Sequence, residues 1–313
     1  MDDSPSVGIV TVTYNSSQVI DGFLRSVFNQ SHSNFVVHVV DNASSDTTLE
    51  RVAINKDSRV HVIANAENRG FADANNQGIH AALAAGCEVV LLVNNDTEFE
   101  PHLIELLIAG LEEHDCDMVA PKIVFHHDPR VIWSAGGGLD RKRGYAGFHH
   151  GNGEADQGQF DSPRRVDHAP ACCLLIRREV FECIGLLDGH YFTYVEDTDF
   201  SYRASLAGLT LMYLPSARVL HKAHSLTGGL FSGFMMRYIT RNRVYFLLKH
   251  FGPWRCLYYV PAYQAYLVLQ LLSGKAGLPM FWLREKAFFE GLRVWSHSLG
   301  DSAFLRHRRH PQC

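Results

Sequence analysis

The sequence VVLLVNNDTEF, residues 89–99, decides the fold class. The apolar run Val89–Val93 has the length and composition of a buried strand, and it ends abruptly at Asn94-Asn95-Asp96. A strand that is apolar throughout is typical of a parallel sheet covered by helices on both faces. Polar residues directly after such a strand lie at its carboxyl end, where open parallel sheets bind their ligands. The stretch therefore predicts an α/β fold with a ligand site at residues 94–96.

Strand-like and helix-like patterns alternate in the same way through the first ~120 residues, as in a parallel sheet with crossover helices. Apolar runs predict further strands at residues 7–12, 36–40 and 60–63. Apolar residues at helical spacing predict helices at 17–29, at 73–85 and after Pro101.

Two further polar clusters follow predicted strands. Tyr14-Asn15 comes after the first strand, and Asp41-Asn42 comes after the second. Because parallel strands end at the same edge of a sheet, these clusters and residues 94–96 are expected to converge.

The second half of the chain is patterned less regularly. Residues 126–168 are rich in glycine, histidine and charge, which indicates irregular loops, and the two pairs His126-His127 and His149-His150 are interpreted as loop residues. The patterns then predict a buried strand at 169–177, a helix at 178–184, a helix at 200–207 and a strand at 209–214. From Phe234 onward the chain is basic, aromatic and helix-like.

Bulk properties exclude several classes of protein. The formal net charge of -4 gives no argument for nucleic-acid binding. Seven scattered cysteines lack the spacing of a disulfide framework or a zinc site, and reduced buried thiols of a cytoplasmic protein are expected. Neither a signal-peptide core nor ~18 uninterrupted apolar residues is present, although residues 257–272 come nearest.

Asp96 is the first candidate for chemistry. A carboxylate beside two amides at a strand terminus suits Mg²⁺ or Mn²⁺, which prefer oxygen ligands and often share them with substrate phosphates. The alternative is that Asp96 caps the next helix. His221 offers an imidazole as a further ligand, and its alternative is a surface or packing role.

Glu196, Asp197 and Asp199 crowd three carboxylates into four positions. Repulsion between neighbouring carboxylates raises a pKa and makes a better base near neutral pH. The alternative is a helix N-terminus, where acids meet the helix dipole favourably. Farther upstream, Asn68-Arg69-Gly70 with Asn75-Asn76 places amides and a cation at a helix start, which suits an anionic phosphate. Neither a GxxxxGK[ST] loop nor a GxGxxG motif occurs, which disfavours an NTPase or a dehydrogenase.

Six segments occur in a characteristic order: VTVTYNS (10–16), VVDNASSD (39–46), ENRGFA (67–72), NNDT (94–97), YVEDTDF (194–200) and His221-Lys222. Together they resemble the family 2 glycosyltransferases of the GT-A fold, over nearly all of residues 7–229. The forms DNASSD and ENRGFADANN are most similar to the rhamnosyltransferase-like enzymes of bacterial surface-polysaccharide assembly.

The resemblance implies a Rossmann-like, mostly parallel central sheet flanked by helices. It implies a catalytic domain at 1–230, with a nucleotide-binding half at 1–125 and an acceptor and catalytic half at 126–230. A helical, basic and aromatic extension at 231–313 would follow.

The resemblance also implies roles for individual residues. Asp96 would bind Mg²⁺ or Mn²⁺ at the donor diphosphate with His221 as an additional ligand, and Asp197 would be the general base, supported by Glu196. Attack opposite the leaving diphosphate inverts the anomeric carbon. The nucleotide-sugar would be contacted by Thr13, Tyr14, Asn15, Asp41, Asn68, Arg69, Asn76 and Asn95.

One departure from the family pattern affects the metal site. Asn94 occupies the first position of the DXD-like motif, where an amide coordinates a cation with less charge than a carboxylate. The number of protein ligands therefore stays open. Which of the three carboxylates near Asp197 accepts the proton rests on the resemblance alone.

The sequence-level hypothesis is an inverting hexosyltransferase that moves a sugar, with dTDP-rhamnose as the leading donor, onto a glycan or lipid-linked acceptor. A nucleotidyltransferase is one alternative, but Thr13-Tyr14-Asn15-Ser16 stands where its glycine-rich phosphate loop is expected. A non-catalytic nucleotide-sugar-binding scaffold is the other. A homo-oligomer is left open, and no nucleic-acid partner is expected.

The tail combines basic and aromatic residues around residues 257–272. That composition suits a helix at a membrane interface, at the inner face of the cell membrane. A helical hairpin packed on the catalytic domain or on another subunit is the equal alternative.

Overall fold

A computed structural model describes residues 4–54, 56–223 and 232–300. Its strands are β1 (Val7–Thr13), β2 (Phe35–Asp41), β3 (Val60–Ala64), β4 (Val89–Val93), β5 (Thr97–Phe99), β6 (Met118–Phe125), β7 (Ile132–Ser134), β8 (Gly137–Asp140), β9 (Ala146–His149), β10 (Arg164–Arg165), β11 (Cys173–Arg177) and β12 (Leu211–His221). Its α-helices are α1 (Ile20–Phe28), α2 (Thr48–Ile54), α3 (Gly70–Ala84), α4 (Leu103–Glu113), α5 (Arg178–Ile184), α6 (Glu196–Leu206), α7 (Gly233–Leu272) and α8 (Leu278–Ser298).

The central sheet has the strand order β10-β12-β6-β11-β4-β1-β2-β3, with β5 on β12 and β7 on β6. β4, β1, β2 and β3 are mutually parallel, as are β6 and β12. β11 runs antiparallel between β4 and β6. The prediction of an α/β fold with a mostly parallel central sheet is confirmed.

The register of the sheet brings the polar clusters to one edge. Thr13 pairs with Asp41 across β1 and β2, and Val10 pairs with Leu92 across β1 and β4. The residues that follow these three strands therefore emerge side by side. The backbone N–H of Asn42 donates to the carbonyl of Thr13 over 2.8 Å, which ties two of the clusters together directly. The predicted convergence is confirmed.

Helices cover both faces of the sheet because successive side chains of each strand point to opposite sides. Ile9 packs with Phe23 of α1 in one apolar cluster, whereas its neighbour Val10 packs with Ile79 of α3 in another. All four side chains are fully buried. The sheet is thus the middle layer of three, and its carboxyl edge stays accessible.

Several elements differ from the sequence-based expectations. β6 was not expected, because Pro121 and Lys122 interrupt its apolar run; Lys122 is nevertheless buried, with its Nζ 3.0 Å from Asp156. α2 was missed because Thr48 and Val52 are its buried residues and the rest of its pattern is polar. The predicted strand at 169–177 is shorter, since β11 begins at Cys173.

Two boundary differences affect functional residues. α6 begins at Glu196 and not at residue 200, so the acidic run forms the first turn of the helix. β12 extends to His221, so this histidine ends a strand and does not follow one. The cysteines also differ in part: Cys87, Cys116, Cys172 and Cys173 are free and buried, whereas Cys183 is disulfide-bonded.

The C-terminal part is a helical hairpin. α7 is interrupted at Gly252, whose φ of 73° and ψ of 175° are not helical, directly before Pro253. α8 packs back along α7, and Phe288 of α8 contacts Val244 and Leu248 of α7. Among the residues that the structure describes, no helix combines the length and the hydropathy that a membrane span requires.

The contact between α3 and β1 yields a stability prediction. A Cβ added at Gly78 would lie 2.3 Å from Cγ1 of Val10, so Gly78→Ala overpacks the interface. We expect the free energy of unfolding, measured by urea titration, to fall by about 1–3 kcal/mol. Gly233→Ala is the matched control, because among the described residues only Cδ2 of Leu283, at 3.8 Å, lies near its new methyl, and alanine favours the helix. Equal stability of the two variants would contradict the packing described.

Candidate functional site

Hydrogen bonds connect the residues at the ends of β1 and β2 around Asp41. This buried carboxylate accepts hydrogen bonds from the Oγ1 of Thr13 at 2.7 Å and from the backbone N–H of Ser44 at 2.9 Å. Asn15, with a positive φ of 51°, accepts from the N–H of Ser45 at 2.8 Å. Tyr14 is 48% exposed beside them. Thr13, Tyr14, Asn15 and Asp41 thus lie together at the sheet edge.

The predicted phosphate-facing residues fall into two groups. Asn68 and Arg69 are exposed at the start of α3, and the Oδ1 of Asn68 accepts from the N–H of Gly70 over 2.9 Å. Asn76 lies two turns later, where its amide bonds the backbone of Leu187 in both directions, at 2.8 and 3.1 Å. The side chain of Asn76 thereby connects α3 to the segment before α6, and its contact with a nucleotide-sugar stays a prediction.

Asp96 lies next to His221, as the metal hypothesis requires. The Nε2 of His221 is 3.3 Å from an Oδ1 oxygen of Asp96, and both side chains are nearly buried. β5 and β12 enforce this proximity, because Thr97 pairs with His221 in their register. Asn95 points back into the sheet and donates to the carbonyl of Val12.

Two buried polar atoms in this part of the site have no hydrogen-bond partner among the described residues. They are the Oδ1 of Asn95, the residue before Asp96, and the second ring nitrogen, Nδ1, of His221 itself. Within the same described part of the chain, no three His, Cys, Asp or Glu side chains cluster closely enough to ligate a metal ion together. Asp96 and His221 therefore fit a divalent cation that takes its remaining ligands from a bound phosphate and water, which is how Mg²⁺ is commonly held.

Aromatic rings connect the Asp96 pair to the acidic run. Trp133 packs against His221 with ring centroids 4.5 Å apart and against His149 at 4.6 Å. His149 in turn stacks on His168 at 5.8 Å and interacts electrostatically with Asp197. Burial and the neighbouring His168 lower the pKa of His149 to about 4. His149 is therefore a neutral ring inside the site, which corrects its interpretation as a loop residue.

Cys172 shows independently that Asp96 and Asp197 occupy one neighbourhood. Burial is the main cause that raises the pKa of this thiol, and the charges of both Asp96 and Asp197 contribute. The carbonyl of Cys172 accepts from the N–H of Asn94 over 2.9 Å, so the thiol lies beside the end of β4. Two carboxylates 101 positions apart in sequence thus lie near the same thiol.

The three carboxylates of the acidic run lie in different environments. Asp199 is fully buried and accepts from the Nε of Arg203 at 2.8 Å and from the Nζ of Lys249 at 2.7 Å. These cations hold the pKa of Asp199 well below its usual range against the effect of burial. Asp199 is therefore a charged structural residue.

Glu196 and Asp197 behave differently from Asp199. Burial first, and then the charge of Asp197, raises the pKa of Glu196 well above its usual range. Its Oε2 has no hydrogen-bond partner among the residues described. Asp197 is less buried; burial raises its pKa, and His149 and the N–H of Thr198, 2.6 Å away, oppose that rise. Of the three, Asp197 is the least buried carboxylate, and its raised pKa distinguishes it from Asp199.

The backbone that leads into Asp197 is strained. Phe192, Tyr194 and Val195 have φ angles of 63°, 64° and 76°, in the left-handed region that non-glycine residues avoid. Such strain concentrates at functional sites and persists where the surroundings enforce it. The sequence gives no signal for this conformation, because no glycine marks it.

A small hairpin borders the same region. β8 and β9 pair with each other, and a Cβ added at Gly147 of β9 would lie 2.7 Å from the Oγ1 of Thr198. The hairpin is therefore in contact with the first turn of α6. Next to it is an open pocket of about 190 Å³. Its lining residues are Gly137, Gly138, Leu139, Phe148, His150, Arg165, Val166 and Asp167.

Sequence reasoning missed the aromatic side chains that lie between Asp96 and Asp197. Trp133, His149 and His168 come from a stretch that reads as irregular loop, and histidine is too frequent in this chain for one ring to stand out. It also missed Asn242 and Lys249, which lie in an aromatic helix far along the chain. No local signal distinguished these two residues, because the same helix carries several other polar and basic side chains.

Comparisons with known proteins identify the family. The family model for glycosyl transferase family 2 matches residues 8–185. An N-acetylglucosaminyl-diphospho-decaprenol L-rhamnosyltransferase of Mycobacterium tuberculosis is 28% identical over 272 residues, covering 79% of this chain and 86% of that protein. The dTDP-rhamnosyl transferase RfbF of Shigella flexneri is 24% identical, covering 68% of this chain and 67% of its own length.

Solved structures confirm the fold. GalNAc-T7, solved with UDP, GalNAc and Mn²⁺, superposes with a TM-score of 0.65 at 16% identity, covering 97% of this chain and 59% of that one. The mannosyltransferase PcManGT of Pyrobaculum calidifontis, solved with GDP-Man and Mn²⁺, gives 0.55 at 15% identity over 98% of this chain and 88% of its own. This chain thus spans about three fifths of the length of the first structure. The chain belongs to glycosyl transferase family 2, adopts the GT-A fold and is a glycosyltransferase.

Proposed function

We propose that this glycosyltransferase moves L-rhamnose from dTDP-rhamnose to a glycan or lipid-linked acceptor, with inversion at the anomeric carbon. The observation that carries the proposal is the proximity of Asp96 and Asp197, since the charges of both carboxylates act on the thiol of Cys172. His149 interacts with Asp197 and packs on Trp133, which in turn packs on His221 beside Asp96. A diphosphate group at Asp96 would have its sugar beside the one carboxylate of the acidic run that suits proton exchange. The Mycobacterium tuberculosis and Shigella flexneri relatives support the choice of rhamnose and, in the first case, of a lipid-linked acceptor.

The nucleotide is proposed to lie along the ends of β1 and β2. Asp41 is held in place by Thr13 and Ser44, so its carboxylate is oriented before a ligand arrives. The exposed ring of Tyr14 can pack against a base. Asn68 and Arg69, exposed at the start of α3, would face the phosphates, where a cation and helix N–H groups favour anions.

In the proposed reaction, Asp197 accepts the proton of an acceptor hydroxyl as that oxygen forms its bond to the anomeric carbon. The bond from this carbon to the diphosphate breaks on the opposite face, and the electron pair leaves with the phosphate oxygen. Burial raises the pKa of Asp197, which makes it a stronger base than an exposed carboxylate. A Mg²⁺ or Mn²⁺ ion held by Asp96 and His221 would neutralise charge on the departing diphosphate.

The proposed acceptor side is the region of α6 and the β8–β9 hairpin. The pocket of about 190 Å³ beside that hairpin offers the exposed ring of Phe148 together with Arg165 and Asp167. An aromatic face with polar groups around it is the usual composition of a small-molecule site. A nucleotidyltransferase is disfavoured, because Thr13-Tyr14-Asn15 replaces the expected phosphate loop and the named relatives are glycosyltransferases.

The outer face of the C-terminal hairpin is proposed to contact the cytoplasmic surface of the cell membrane. Trp254, Leu257, Tyr258, Leu269 and Leu272 recur at helical spacing after the Gly252 kink and are 63–82% exposed. Aromatic and aliphatic side chains in such a stripe suit the boundary between lipid headgroups and acyl chains. A lipid-linked acceptor would make this contact useful.

The proposed base is tested by Asp197→Asn. We expect turnover of dTDP-rhamnose with a polyprenyl-diphospho-N-acetylglucosamine acceptor to fall by about 10²–10⁴-fold, because the amide accepts no proton. Donor affinity, measured by calorimetry, should change less than about threefold.

Glu196→Gln is the matched comparison for that experiment. Glu196 lies beside Asp197, burial raises its pKa well above the usual range, and an amide preserves the size of its side chain. Its turnover should fall less than about tenfold. If Asp197→Asn kept near-normal turnover, or if Glu196→Gln lost as much activity, the assignment of the base would be wrong.

The proposed metal ligand is tested by Asp96→Ala in a thermal-shift assay with dTDP. In the wild type, Mn²⁺ bound between Asp96 and the diphosphate should lower the Kd for dTDP. The stabilisation by dTDP should therefore increase, since it grows with the ratio of ligand concentration to Kd and reaches about 2.7 kcal/mol at a ratio of 100. The variant should show the same response to dTDP with and without Mn²⁺.

Asp57→Ala is the control for the metal test, since Asp57 pairs with Arg59 before β3, at the opposite edge of the sheet. It should lower the melting temperature but keep the Mn²⁺ response. A full Mn²⁺ response in Asp96→Ala would count against Asp96 as a ligand.

The proposed membrane surface is tested by flotation with vesicles that contain anionic lipid. Replacement of Trp254, Leu257 and Leu269 by serine should reduce the bound fraction at least fivefold, because these side chains would supply most of the buried apolar area. Ile54→Ser is the control, as Ile54 of α2 is 73% exposed but lies outside the hairpin. If the triple variant instead changes the oligomeric mass and leaves vesicle binding intact, the stripe is a subunit interface.

A further inference from the structure

The segment between residues 190 and 195 must be held by its surroundings. Each non-glycine residue in the left-handed region costs about 1–3 kcal/mol, and Phe192, Tyr194 and Val195 all have this conformation. The segment ends at Glu196, so its path fixes where α6 begins and where Asp197 lies.

Asn242 of α7 is the residue that holds this path most directly. It is fully buried, and its Nδ2 lies 2.8 Å from the carbonyl oxygen of Tyr191 and 2.7 Å from those of Thr193 and Tyr194. The carbonyls of Tyr191, Thr193 and Tyr194 face this side of the segment, and the amide nitrogen of Asn242 lies within hydrogen-bond distance of all three. Without it, one buried and two partly buried acceptors would lose a donor.

Neighbouring residues of α7 extend this contact in both directions. The guanidinium of Arg241 donates to the carbonyls of His190 and Tyr191. About two turns later along the helix, the ammonium of Lys249 lies 2.7 Å from Asp188 before the segment and 2.7 Å from Asp199 after it. The strained backbone is therefore fixed at its start, its middle and its end by a single helix.

The opposite side of the segment contacts the start of α3. The carbonyl of Phe192 accepts from the N–H groups of Phe71 and Ala72, the latter at 3.2 Å. Gly70 has a φ of 85°, and a Cβ there would lie 2.5 Å from the ring of Phe192. The segment thus lies between α7 and the exposed residues Asn68 and Arg69, which face the proposed donor.

We propose that Asn242 and Arg241 are positioning residues that fix the backbone of residues 190–195 and thereby the carboxylate of Asp197. The inference rests on the proposed role of Asp197 as the base. It makes the C-terminal hairpin part of the catalytic machinery, although none of its residues needs to touch the donor. A displacement of about 1 Å of a reacting group lowers a rate by about 10²-fold, so small shifts of this backbone are sufficient.

The test compares Asn242→Ala and Arg241→Lys with Arg237→Ala in the full chain. Arg237 lies one turn before Arg241 on the same helix, but it is exposed and pairs with Glu290 of α8. With dTDP-rhamnose and the polyprenyl-linked acceptor, kcat should fall about 10–100-fold in Asn242→Ala and about 3–30-fold in Arg241→Lys. The KM for the donor should stay within threefold, and Arg237→Ala should match the wild type.

Hydrogen exchange supplies a readout that needs no substrate. Amides of residues 190–199 should exchange at least tenfold faster in Asn242→Ala than in Arg237→Ala, while those of β1 and β4 keep their protection. If the wild type turns over no sugar nucleotide, the proposed function fails and exchange alone decides the positioning role. Unchanged protection at 190–199, an unchanged kcat in a folded variant, or an equal loss of kcat and donor affinity would each overturn the proposal.

Discussion

The Nζ of Lys249 lies 2.7 Å from a carboxylate oxygen of Asp188 and 2.7 Å from one of Asp199, with all three side chains buried. Removal of one partner from such a group leaves an uncompensated charge and typically costs about 3–5 kcal/mol. The ammonium therefore joins α7, α6 and the segment that precedes α6 into one unit. Arg203 supplies a second cation at Asp199, and the Nε2 of His250 lies 2.7 Å from the same carboxylate. The strained turns of residues 192–195 and the start of α6 depend on this arrangement.

Burial divides the acidic run into three different groups. Cations hold the pKa of Asp199 well below its usual range, whereas burial raises the pKa of Glu196 well above it. Burial also raises the pKa of Asp197, and His149 opposes that rise. Of these three carboxylates, Asp199 is therefore structural, and only Glu196 and Asp197 are left as candidates for chemistry. The same division explains why α6 can begin with acidic residues: the helix dipole favours them, and α7 neutralises the most buried one.

Much of the sheet could be predicted from local pattern. β1, β2, β3 and β4 are apolar runs that end in polar clusters, and the topology of parallel strands then brings those clusters together. β6 could not be predicted, since Lys122 within it becomes compatible with burial only through Asp156 and Asp161, more than thirty residues away. The convergence of Tyr14, Asp41 and Asp96 was accessible from sequence, whereas the rings of Trp133 and His149 between Asp96 and Asp197 were not.

The sequence by itself determined the class of fold, the edge of the sheet at which ligands bind and the candidate residues Asp96 and Asp197. These follow from periodicities and strand ends, which are local properties of the chain. The tertiary structure alone decided that Asp199 is structural, that His149 belongs to the site and that α7 supports the strained backbone before α6. Those properties depend on burial and on charges contributed from distant positions, such as Lys249, fifty residues after Asp199. The pKa shifts of these carboxylates depend on burial in the folded protein, which no local sequence pattern specifies.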